Sequence, residues 1–152
     1  MEPADRIVVA ACRDWVRGVE PWRAAVRSFS RHLAPAQDRV FAFHLGALLA
    51  VLASAGTQRI VMGPVGSSRL WPGEAILLDA IALCRGGHAT GVDALLARYL
   101  GPSARHLAVY HLHGVVAALG TVMERQADTV AACGAGPSAA VVPFPVAQAR
   151  RG

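Results

Sequence analysis

Residues 40–57, VFAFHLGALLAVLASAGT, run without a single formally charged side chain. This run constrains the chain more than any other feature, because a helix that is apolar on every side has to be covered on most of its surface. It is expected to be the central and most buried element. A second uncharged run, LAVYHLHGVVAALGTVM, spans 107–123. Each is close to the roughly 18–20 residues needed to cross a bilayer. Both contain histidine and small residues, both have arginine nearby, and alanine supplies a large share of the apolar character of each. These features favour helices packed in a bundle, with a membrane-embedded subunit as the alternative.

The remaining apolar spacing is also helical. A first helix is expected over 3–17, with Val8, Cys12 and Trp15 on one face, and Gly18 ends it. A second starts at Glu20-Pro21-Trp22, where proline suits a first helical turn. Trp22, Val26, Phe29 and Leu33 then recur at helical steps, while Arg23, Arg27 and Arg31 line another face. A third helix is expected from Pro35 to Ala55. After it, TQRIVMGPVGSSRLWPG has a different character, and either Arg59–Met62 with Ser68–Trp71 pair as a short β-hairpin within 58–71 around the turn residues GPVG, or the stretch is an irregular loop. Helices are expected again from Pro72 to Arg85, from Thr90 to Leu100 with Thr90 and Asp93 resembling a capping box, and from Ser103 to about Ala132. The final stretch, GAGPSAAVVPFPVAQARRG, lacks helical periodicity and reads as a tail. The expectation is therefore an all-α fold: one helical domain of about six helices over 1–133 and a Pro/Gly/Ala-rich tail over 134–152.

Composition narrows the function. At 152 residues the chain fits one domain, and 54% hydrophobic content suffices for a core without disulfides or metals. All fifteen basic residues are arginine, and they are spread along the chain, so the net charge of +5 does not mark a nucleic-acid surface. Cys12, Cys84 and Cys133 are odd in number, far apart and without a C-x-x-C pair, which argues against a disulfide framework or zinc knuckle and suits the cytoplasm. The acidic start MEPADR lacks the basic opening of a secretory signal. There is no lysine, hence no P-loop, and no G-x-S-x-G elbow. The ten carboxylates include no close pair set in an apolar cleft.

The richest chemistry lies in RHLAVYHLHG, 105–114. On a helix, His106 and His113 share a face but sit about 10 Å apart along the axis, too far to ligate one ion together. His111 points away from both. His106, Tyr110 and His113 flank the apolar stripe of Val109, Leu112, Val116, Leu119 and Met123, as a polar or interfacial face of a packed helix would. The same three residues are the candidates for lining a small-molecule or cofactor pocket, with no cofactor identified. His44 and His32 could complete such a site, although nothing in the sequence places them there. His44 alone in an apolar helix is expected to be a hydrogen-bonded core residue. Candidate interaction residues are Arg23, Arg27 and Arg31 on the second helix, Val65, Arg69 and Trp71 in the glycine-containing loop, and Phe144 in the tail. No metal site is expected. The favoured function is a non-enzymatic helical protein-interaction or regulatory module, as a homo-oligomer or a subunit of an assembly. The alternatives are a small-molecule or metal/cofactor-binding protein, a membrane-embedded subunit, and a weak nucleic-acid binder.

Overall fold

The structure, a computed structural model, describes residues 1–134, with side chains as far as 120. Six helices follow one another: α1 (Pro3–Val16), α2 (Val19–Phe29), α3 (Pro35–Ala55), α4 (Pro72–Arg85), α5 (Ala89–Ala97) and α6 (Pro102–Gly134). The fold is all-α, as the periodicity requires. Proline opens α1, α3, α4 and α6 at a position where its missing N–H is not needed. The Asp5 carboxylate accepts from the Glu2 N–H at 3.1 Å, which adds a cap to the start of α1.

α3 and α6 form the centre. Gly56 lies beside Leu100 in an isolated antiparallel bridge, and the Thr57 N–H donates to the Tyr99 carbonyl at 2.8 Å. Farther back along α3 and farther forward along α6, His44 meets His111. The two helices are therefore antiparallel. Phe41, Leu45, Leu48, Leu49 and Leu52 of α3 interlock with Ala108, Leu112, Val115, Ala118 and Leu119 of α6, all buried. Steps of three and four place each set on one helical face, and burying a side chain such as Phe41 contributes about 1.5–3 kcal/mol. Around this pair α1 packs on α2, α3, α4 and α6, while α4 and α5 pack on α6 and on each other. Phe29 of α2 reaches Phe41 edge-on at 5.0 Å between ring centres.

Three expectations change, and one pair of alternatives is decided. α3 is not buried on every side: its inward face forms the core, but Val40 and Phe43 are exposed. It remains long and apolar enough to cross a membrane by length and composition. Of the two alternatives for 58–71, the hairpin does not form. That segment is an irregular loop, and no strand occurs among the described residues. α2 stops at Phe29, and Leu33 reaches the core through a tight turn in which its N–H donates to the Phe29 carbonyl at 2.7 Å. Thr90 does not cap α5. The helix begins one residue earlier after His88, and Asp93 instead pairs with Arg105 of α6 at 2.9 Å. Residues 135–152, and with them Phe144 and nearly all of the expected tail, lie outside the described residues.

The loop has a physical reason for not being a hairpin. Arg13 of α1 and Glu74 of α4 form a bidentate pair, Nε to Oε1 at 2.7 Å and Nη2 to Oε2 at 3.0 Å, with residue exposures of only 7% and 1%. The rest of the Arg13 guanidinium donates to the Ser67 carbonyl at 2.6 Å and the Arg69 carbonyl at 3.0 Å. Glu74 accepts the backbone N–H groups of Gly63 and Trp71, each at 2.9 Å. A buried ion pair is tolerated only when its remaining donors and acceptors are met, and here the loop backbone meets them. The Arg69 carbonyl and the Trp71 N–H among them belong to the segment that a hairpin would have paired. Gly63 is needed at the join, because a Cβ there would collide with the Trp71 indole.

Candidate functional site

The site builds outward from one packing decision between α3 and α6. Gly114 has no side chain, and a Cβ at that position would overlap the His44 imidazole. The ring of His44 therefore lies in a slot against α6. There its Nδ1 sits 3.1 Å from Nδ1 of His111, both partly buried. Phe43 packs edge-on against His44 at 5.1 Å and against His111 at 5.8 Å between ring centres. Tyr110 closes the other side, 5.6 Å from His44 and 5.1 Å from His111. Four rings from two helices thus form one cluster.

Around this cluster the surface is apolar and open. Val40 is 42% exposed, Phe43 63%, Leu107 55% and Tyr110 63%. α3 carries no formal charge from Val40 to its end, and α6 carries none from Leu107 through the cluster. Single exposed hydrophobic side chains are ordinary, but Phe43 and Tyr110 stand together here through the shared ring contacts with His44 and His111. Burial and then the neighbouring His111 ring push His44 below the ordinary imidazole value, which favours its neutral form. In the hydrogen bond between the two rings, one Nδ1 donates and the other accepts.

The three residues singled out on α6 do not come together. His106 donates from Nδ1 to the Pro102 carbonyl at 3.0 Å, within its own helix turn. Tyr110 joins His44 and His111. His113 turns to α4, where its Nδ1 lies 3.4 Å from Sγ of Cys84. It is therefore His111, not His113, that shares a neighbourhood with Tyr110. Helical geometry within α6 separated the histidines correctly, but only the α3 partner determines which of them is joined. His44, expected as a hydrogen-bonded core residue, does find a hydrogen-bond partner, yet it stands at the edge of the core.

The other candidates divide as well. Arg23, Arg27 and Arg31 are all exposed, Arg31 lies beyond the end of α2, and Arg23 pairs with Glu20 at 2.9 Å. Val65 and Arg69 are exposed at the loop, whereas Trp71 covers Gly63 and helps to shape the Glu74 pocket. A cleft of about 340 Å³ opens on another side, lined by Trp15, Leu52, Thr57, Arg59, Ile60 and Met62 among others. No group of three or more potential metal-ligating side chains occurs among the described residues.

The sequence reading missed Arg13, Glu74 and Phe43. Glu74 carries one signal, its place in the first turn after Trp-Pro-Gly, but nothing points to a partner 61 residues away. Burial raises the pKa of Glu74, and hydrogen bonds from Arg13, Trp71 and Gly63 together with the Arg13 charge outweigh it, so the carboxyl stays below the ordinary carboxylate range. Cys12, fully buried beside this pair, has its thiol pushed up by burial and by the Glu74 charge, so it stays protonated. Comparison with protein-family models, with curated proteins and with solved structures gave no significant match.

Proposed function

We infer that this chain is a non-enzymatic helical interaction module that associates with a protein partner through the outward face of α3 and α6. The observation that carries this reading is the open, uncharged patch of Val40, Phe43, Leu107 and Tyr110 around the ring cluster. Its apolar area gains most when covered, and the two antiparallel helices beneath it provide a rigid platform. The polar residues elsewhere support the same reading by their engagement: Arg13 and Glu74 are consumed in holding the loop. Free thiols at Cys12 and Cys84 fit a cytoplasmic setting.

Sedimentation of the full chain at micromolar concentration tests the proposal. The wild type is expected to associate, and Phe43→Ser and Tyr110→Ser are expected to shift it toward monomer while keeping the helical circular dichroism signal. If no partner protein is captured and the wild type stays monomeric, the reading fails. Partition of the wild type into lipid vesicles, abolished by the same substitutions, would replace a protein partner with a membrane surface.

A further inference from the structure

We propose that His44 and His111 are half of a divalent transition-metal site, completed by the same two residues of a second copy of this chain. The inference rests on the interaction reading above and names its partner. Geometry motivates it. Two imidazole nitrogens bound to one tetrahedral zinc ion at about 2.0–2.1 Å stand roughly 3.3 Å apart. Here Nδ1 of His44 and Nδ1 of His111 are 3.1 Å apart, facing each other across a hydrogen bond. For an ion to bind, the ring that carries its hydrogen on Nδ1 shifts it to Nε2, so that both Nδ1 atoms present lone pairs, and the His111 ring turns until the two lone pairs converge on the ion. The slot at Gly114 and the flanking rings of Phe43 and Tyr110 already fix the His44 ring, so little ordering cost remains.

One chain supplies two ligands, and a structural zinc site uses four. A two-fold axis through the face doubles whatever lies beside it, so a pair near the axis becomes a set of four nitrogens. Charge favours a second copy on this face over any other. The chain carries a net +5, and two copies repel wherever charged surfaces meet. The outward face of α3 from Val40 and of α6 from Leu107 is uncharged, so a self-contact there sets no arginine of one copy against an arginine of the other at its centre. The exposed flanks of Val40, Phe43, Leu107 and Tyr110 would be covered in the same step. Imidazole donors suit zinc, copper, nickel and cobalt rather than magnesium or calcium.

The experiment is sedimentation of the full chain with EDTA and with Zn²⁺ at one ion per two chains, paired with the visible spectrum of the Co²⁺ form. Zinc is expected to tighten self-association at least about tenfold, within the usual range of coupling between two binding events. His44→Gln and His111→Gln are each expected to remove that effect, while His113→Gln and Cys84→Ser retain it. The wild-type Co²⁺ form, which needs no variant to fold, is expected to show the intense visible absorption of a four-coordinate ion saturating at one per two chains. A pale six-coordinate spectrum at one ion per chain overturns the bridging site. A zinc effect that survives in both histidine variants, or disappears in Cys84→Ser, assigns the ion elsewhere and overturns it as well. A dimer that ignores zinc but dissociates in Phe43→Ser overturns the metal site and leaves the interaction reading standing. A chain monomeric with and without zinc overturns both.

Discussion

Glu74 and His44 both place a titratable group against apolar helices, and they are treated in opposite ways. Around Glu74, both carboxylate oxygens are engaged by the Arg13 guanidinium and by two backbone N–H groups, and water has almost no access. Around His44, one ring nitrogen meets His111, and the surroundings open onto exposed Phe43 and Tyr110. The first arrangement is closed within the chain, so its value is structural: it ties α1, α4 and the 57–71 loop together. The second is apolar where water could be excluded only by something else. Polar groups that are fully satisfied describe how a protein holds itself, and the open rim at His44 is what the proposed interaction would use.

That contrast is sharpest under mutation. The largest effect is expected at the closed site. Glu74→Ala leaves Arg13 charged, buried and without its counter-ion, and urea denaturation should show a loss of about 3–5 kcal/mol. A loss below about 1 kcal/mol would mean that the pair does not hold the loop. Acid titration of the wild type probes the same pair. The folded-state pKa of Glu74 is depressed, so its contribution is fully present above the unfolded carboxylate value of about 4.3 and is lost as pH falls through the lower folded value. Stability should decline with acid through that window, and a Glu74→Gln protein should decline less steeply.

Next in size is Gly114→Ala, which drives a methyl group into the His44 ring. Overpacking of this kind costs about 1–3 kcal/mol, and alanine returns up to about 1 kcal/mol of helix propensity. A net loss in thermal unfolding, together with displaced His44 and His111 imidazole resonances, is the expected result. A stabilised protein with unchanged resonances would show that the slot is not tight. Smaller again is the stability change of Phe43→Ser, within about 0.5 kcal/mol because the side chain is exposed, although association should suffer. The two sites then separate cleanly: one set of substitutions moves stability and the other moves self-association. Least of all is Arg23→Ala, which removes an exposed pair with Glu20 and should alter stability by no more than about 0.5 kcal/mol, falling further with added salt.

The helices were legible because periodicity is local. Pro35 and Ala55 bound α3 as its proline start and following glycine indicate, and the inward stripe of α6 contains Leu112 and Leu119 as the spacing requires. What was not legible depends on residues far apart. The Arg59–Met62 and Ser68–Trp71 segments have hairpin chemistry, but Arg13 and Glu74 claim the loop's backbone from outside. Angles along α6 alone kept His111 apart from His106 and His113, and those angles cannot reveal that α3 brings His44 to it. Phe43 reads as one more apolar residue in an apolar helix, and only the actual packing leaves it facing outward.

The Arg13–Glu74 pair also has a consequence in time. Its members are separated by 61 residues, and the intervening chain includes all of α2, α3 and the loop. At about 5–20 residues per second of synthesis, Arg13 leaves the ribosome roughly 3–12 seconds before its carboxylate does. Until then α1 cannot acquire its buried counter-charge, and every shorter nascent chain carries that guanidinium in water. The N-terminal helix is thus the first part made, yet its buried charge is paired only once the fourth of the six helices has emerged.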